Sequence, residues 1–377
     1  MPHGQASEQE SNIVLDNESS LKVRNEYQTI KRKIKAGSDA SVTYAQNSMK
    51  KGTFIAGAQA LTVGTHEAWS LDDLLSIDLE VLQNVETPNY ELILAACAMI
   101  ISESPTARAM IEEAADDGWS LGCDALQNND FILDLESKTI MIDHNGMRPN
   151  ALAYSEYFQN AMMVSLTRGL RDVYQEKRHA AFDEDYGPQD VLLLERTRAA
   201  DRDVVAVLCA WELRSECHSE IWRHIIGSPE GDVAMAFSNY LDRDPSSLFS
   251  GKAMAAAFRQ WFADLARSNA VDHETLEYLD GVLDYAEAAN PFGNKHLSAG
   301  KIEQLSCMPD KKAYLQSIGT EILSSPQYAG LFDPINQSHL FHIVHDMNVV
   351  VVSDVPFQDA GLANKIFPDF YASETCH

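Results

Sequence analysis

Three histidines, His339, His342 and His345, stand at i, i+3 and i+6 in the run HLFHIVHD, and zinc is bound by imidazoles grouped at such helical spacings. At about 3.6 residues per turn the run fans across roughly 120° of a helix face, so two rings could share a metal and three only with distortion. The simpler reading is a half-buried aromatic seam in which each ring has its own backbone or carboxylate partner. Cys217, His218 and His224 form a weaker group, because neighbours on a helix point about 100° apart. His144, following TIMID, is the remaining donor of interest. Adjacent carboxylates such as Asp72-Asp73, Glu112-Glu113 and Asp116-Asp117 have the chemistry of acids and bases, but 56 acidic residues in 377 produce such pairs by chance on solvated faces. The phosphate-cradling GxxxxGK[ST] and GxGxxG loops do not occur, nor does the GxSxG nucleophile elbow.

The elements that would position these residues are mostly helices. YELILAACAMII reads as a helix apolar nearly all round, hence buried, and LDDLLSIDLEVL as another before it. Pro105 suits the first turn of TARAMIEEAADDGW, which closes on an Asp-Gly pair. FILDL and TIMID, joined across Glu136-Ser137-Lys138, read as two strands of a hairpin, with SLGCD a candidate third. Two long helices are expected next, residues 151–179 and 198–226, separated by a loop at 183–190. Further helices follow in DVAMAFSNYL, AMAAAFRQWFADLAR, HETLEYLDGVLDYAEAA and QSHLFHIVHDM, and VVVVSDV is a short extended segment. The expected class is α+β with a large helical majority. No repeat of 20–50 residues recurs, which excludes a solenoid.

The formal charge of −27 disfavours nucleic acid and anionic lipid as partners, because a field of that sign repels phosphates. Residues 1–51 carry eight Lys/Arg against six Asp/Glu, so the remainder holds −29. Residues 1–18 are polar without apolar period and are expected to be disordered. From Ser19, Val23, Tyr27, Ile30 and Ile34 make one helical stripe that ends in the basic cluster Lys31–Lys35, expected to dock on the acidic body. The longest apolar run, Leu92–Ile101, is half a membrane span, and the polar start lacks the features of a secretory signal. Six cysteines without a CxxC fit reduced thiols, so a cytoplasmic protein is expected.

The order in the middle of the chain, a helix, a small β unit ending in TIMIDHNG and two long helices, is similar to that of gluzincin metallopeptidases. Leu166–Gln175, LTRGLRDVYQ, resembles their LxHELRHxxQ helix, with Leu170, Arg171 and Gln175 on matching positions. Longer phrases, WELRSECHSEIWRHIIGSPEGDVAMAF, DPSSLFSGKAMAAAFRQWFADLAR and NQSHLFHIVHDM among them, resemble an uncharacterised bacterial family catalogued with the metallopeptidases, over roughly residues 90–370. The resemblance implies a zincin-like core in which the first long helix carries HExxH and the second a glutamate ligand. Here Arg168 falls at the first histidine, Gly169 at the glutamate and Asp172 at the second histidine. In ERTRAADRDV, Ala199 takes the third ligand's place unless the register slips one turn to Glu195; Asp201 is the other carboxylate of that segment.

Zinc hydrolysis needs two neutral imidazoles, a third ligand and a carboxylate beside the metal-bound water. A guanidinium has no lone pair to offer and glycine no base. An i, i+4 ion pair between Arg168 and Asp172 is expected instead. The preferred expectation is therefore a pseudoenzyme: a non-catalytic scaffold or binding module with a metallopeptidase-like fold, no cofactor and a protein partner. The alternative is a zinc hydrolase recruiting donors elsewhere, from His144 and the His339–His345 run. The expected organisation is a tail at 1–18, an N-terminal helix and linker at 19–66, a zincin-like core at 67–226 and a helical region at 227–377.

Overall fold

The computed structural model describes residues 67–77, 88–126, 129–179, 185–285, 290–347, 350–352, 355–357 and 365. The expected tail and basic docking helix lie outside these residues, as does Cys376.

Local chemistry starts the elements. Ser70 ends strand β1 (Ala68–Ser70) and caps helix α1 (Leu71–Leu75), its side chain accepting from the Asp73 amide. Asn89 does the same for α2 (Tyr90–Ile101) through the Leu92 amide, and Ser104 for α3 (Pro105–Asp116) with Pro105 in the first turn. The chain turns after α3 at Gly118, whose φ of +78° suits a residue without a Cβ, and enters the sheet.

The sheet consists of β1, β2 (Ser120–Asp124), β3 (Phe131–Asp134) and β4 (Thr139–Asp143) in the order β1-β2-β4-β3. Strands β2 and β4 are parallel, with Leu121 opposite Ile140, and the other pairings are antiparallel. SLGCD is thus a strand, and it lies beside TIMID. Every residue of β4 is buried. Alternation sorts its side chains: Ile140 and Ile142 join Leu121 in the main core, whereas Met141 meets Ile132 and Leu126 on the opposite face.

A long helix, α4 (Glu156–His179), packs on β3 and β4, and a second, α5 (Pro188–Ser215), packs on α4. Both expected long segments are interrupted. A short helix, Pro149–Ala153, precedes α4, and the Gln159 amide nitrogen donates to the freed carbonyls of Leu152 and Ala153. The second segment breaks after Ser215, where Cys217 takes φ +70°, and resumes as α6 (Ser219–Ile226). Then follow α7 (Gly231–Arg243), α8 (Lys252–Trp261), α9 (Leu265–Tyr285), α10 (Ala299–Leu305), α11 (Pro334–Met347) and a hairpin of β5 (Val350–Val352) and β6 (Val355–Phe357). The fold is mostly helical α+β. One buried apolar cluster runs from Leu71 to Ile343, with α5 packed against α4, α6, α8, α9 and α10. Among the described residues no helix is long and apolar enough to cross a membrane.

Candidate functional site

The α4–α5 contact buries polar and charged residues where two packed helices ordinarily carry apolar ones: Arg171, Asp172, Gln175, Glu195, Arg198 and Asp201, while Arg196 turns away to Asp272 of α9. A buried charge must be paired, and the pairs form three groups along the contact.

Arg168 heads the first. Its Nε lies 2.8 Å from Asp203 Oδ1 on α5, Nη2 3.2 Å from Glu230 Oε1 just before α7, and Nη1 donates to Asp130 Oδ2 at 3.2 Å before β3. Trp261 of α8 donates its indole N–H to the second oxygen of Asp203 at 2.7 Å. Burial works against the guanidinium charge, but Asp203, Glu230 and Asp130 outweigh it and hold the proton more firmly than usual. Conversely, burial would raise the Glu230 carboxyl, and Arg168 leads the contacts that keep it below its ordinary range.

Gly169, next along α4, lies against the sheet. A Cβ built there would stand 2.7 Å from Ile140 Cγ2 and 3.3 Å from the Phe131 ring, so the absence of a side chain lets α4 approach β3 and β4.

The second group joins Asp172 to Arg202 at 2.8 Å and Arg198 to Glu176 at 3.4 Å. The expected Arg168–Asp172 pair does not form, because each residue finds a partner on α5. Glu195 lies in this group with one carboxyl oxygen buried and without a hydrogen bond, 3.9 Å from Arg198 Nη1. Burial pushes its carboxyl up to about 7; Arg198 opposes the shift and Asp172 adds to it.

The third group is wholly buried. Arg171 grips Asp201 through Nε at 2.6 Å and Nη2 at 3.1 Å, a two-pronged pairing. Gln175 and Tyr314 also donate to Asp201, at 2.5 and 2.8 Å, while Arg171 donates to the carbonyls of Leu305 and Cys307. Asp201 thus accepts from three side chains and ties α4 and α5 to the segment around α10.

The histidines lie elsewhere. His144 stacks on Tyr90 with ring centres 5.0 Å apart, and its Nδ1 is buried without a partner. His339 faces Glu277 and Asp280 of α9, and His345 meets Asp346 at 3.1 Å. Among the described residues no three or more His, Cys, Asp or Glu side chains are grouped to hold a metal ion.

Residues 80–316 match the family model described as "Putative metallopeptidase family (DUF6782)". The chain belongs to this family. No curated protein and no solved structure matches it. The family's description implies a metal, and the residues at the motif-like positions do not fit one. Arg168, which the resemblance aligns with the first histidine, is a cation already met by three carboxylates, and a side chain at Gly169, aligned with the glutamate, would meet Ile140 and Phe131. Of the charged residues in these groups of the DUF6782 chain, sequence reasoning singled out Arg168, Asp172, Glu195 and Asp201 and missed Arg198, Arg202 and Asp203 on α5 and Glu230 before α7. The density of charge in ERTRAADRDV was the available signal, but such a run reads equally well as a solvated face.

Proposed function

We propose that this DUF6782 chain is a pseudoenzyme, a scaffold or binding module in which a zincin-like helix pair has exchanged its metal ligands for ion pairs. The observation carrying the reading is Arg168, whose guanidinium meets Asp203, Glu230 and Asp130 where the resemblance calls for the first zinc-binding histidine. A divalent cation beside that guanidinium would be repelled, and displacing Arg168 would leave buried carboxylates unpaired. The charge of −27 favours a protein partner over nucleic acid or anionic lipid. The free thiols Cys97, Cys123, Cys209, Cys217 and Cys307 fit a reducing compartment, the cytoplasm.

Elemental analysis of protein purified without added metal, paired with a peptidase assay on unstructured substrates, tests the reading. It expects no stoichiometric metal and no cleavage. Zinc surviving dialysis at one per chain, or cleavage stopped by a chelator, would overturn it in favour of a hydrolase with other ligands.

A further inference from the structure

A second polar cluster lies away from the α4–α5 contact, where α11 packs on α9. His273, Glu277 and Asp280 of α9 stand at i, i+4 and i+7, so they line one side of that helix. His339 of α11 faces them with most of its side chain buried. Its Nδ1 is 3.9 Å from Glu277 Oε1 and its Nε2 is 4.0 Å from Asp280 Oδ2, both beyond hydrogen-bond reach. The Nε2 atom is buried and has no hydrogen-bond partner. His273 across the contact and His342 on the same helix are close enough to act on the ring electrostatically. Nearby Ile343 is fully buried and Leu340 packs against the core, so the histidine lies at the edge of the apolar contact that anchors α11.

We propose that His339 makes the α9–α11 contact a pH-sensitive clasp, closed near neutral pH and loosened on acidification. A neutral imidazole fits a site that offers neither ring nitrogen a close partner. A protonated ring would be a poorly solvated cation beside two further imidazoles, His273 and His342, that disfavour its charge. Glu277 and Asp280 attract that cation, but Glu277 is largely exposed and therefore screened. Burial is the leading influence on the ring and lowers its proton affinity; Asp280 and Glu277 oppose it, and His273 and His342 add to it. The depressed proton affinity sets the sign. A detached α11 binds the proton more readily than the docked one, so stability of the contact is lost as pH falls through the ordinary histidine range.

Hydrogen exchange on the full chain at about pH 7.5 and about pH 5.5, corrected for the intrinsic pH dependence of exchange, reads this directly. Protection of residues 334–347 should fall by roughly a few-fold at the lower pH, in the direction set by the weakened proton affinity of the docked ring. Protection of α4 and α5 should hold, marking the event as local. His339→Gln should abolish the fall. Two further variants carry opposite signs: His273→Gln removes a repelling charge and should shrink the response, and Asp280→Asn removes an attracting one and should enlarge it. Protection of 334–347 that is independent of pH, that rises on acidification, or that falls equally in His339→Gln would overturn the proposal.

Discussion

Arg168 Nε lies 2.8 Å from Asp203 Oδ1, and the other oxygen of that carboxylate accepts from the Trp261 indole at 2.7 Å. One ion pair therefore links α4, α5 and α8, and through Asp130 and Glu230 it reaches the sheet and the start of α7. Arg168→Ala should cost about 3–5 kcal/mol in urea unfolding, because Asp203 and Glu230 would stay largely buried without their cation. An ordinary surface pair contributes under about 1 kcal/mol. A loss that small would remove Arg168 as the organising charge.

Gly169→Ala poses a conflict whose winner can be measured. Alanine favours the helix by about 1 kcal/mol over glycine. Its Cβ, however, would stand 2.7 Å from Ile140 Cγ2, and overpacking of this kind costs about 1–3 kcal/mol. Net destabilisation is expected, and Ile140→Ala should cost less in the Gly169→Ala background than in the parent. Strict additivity in that cycle would show that the two residues do not meet.

Glu195 sets a pH dependence. Burial leads its shift and raises the folded carboxyl to about 7, well above its ordinary value of 4.5. The folded state therefore binds the proton more tightly than the unfolded one. Its contribution is complete below about 4.5 and is lost as pH rises through about 7. Glu195→Gln, a mimic of the protonated form, should be more stable than the parent by about 1–3 kcal/mol near pH 8, with the gap closing toward pH 5. Parallel stability curves from pH 5 to pH 8 would show that Glu195 does not titrate in this range.

The thiols should separate by rate. Cys217 is exposed, whereas Cys97 and Cys209 are buried and have their thiols pushed up, Cys97 to about 12. A thiol reagent added to native protein should label Cys217 first, and Cys217→Ser should remove that fast phase. Unfolding without reductant should then expose six reactive thiols, one for each cysteine in the sequence. A shortfall of two would indicate a disulfide.

What the sequence determined by itself was local. The helix at Tyr90–Ile101, the start of α3 at Pro105 and the strands FILD and TIMID depend on periodicity, caps and turn residues within a few positions of one another. The breaks at 154–155 and 216–218 were not legible, because apolar period continues through them; in the second, a left-handed Cys217 redirects the chain. The identity of the residues at the motif-like positions was legible too, but not what they do. Arg168 and Asp172 have the spacing of a helical ion pair, yet α5 stands close enough to offer each a better-placed partner. Glu195, Arg198 and Asp201 look on paper like a solvated charged face. Only the packing of α4, α10 and Tyr314 around them excludes water, and exclusion of water is what turns ordinary charges into obligatory pairs. Which charge meets which is decided by helices distant in sequence, so tertiary structure alone could assign it.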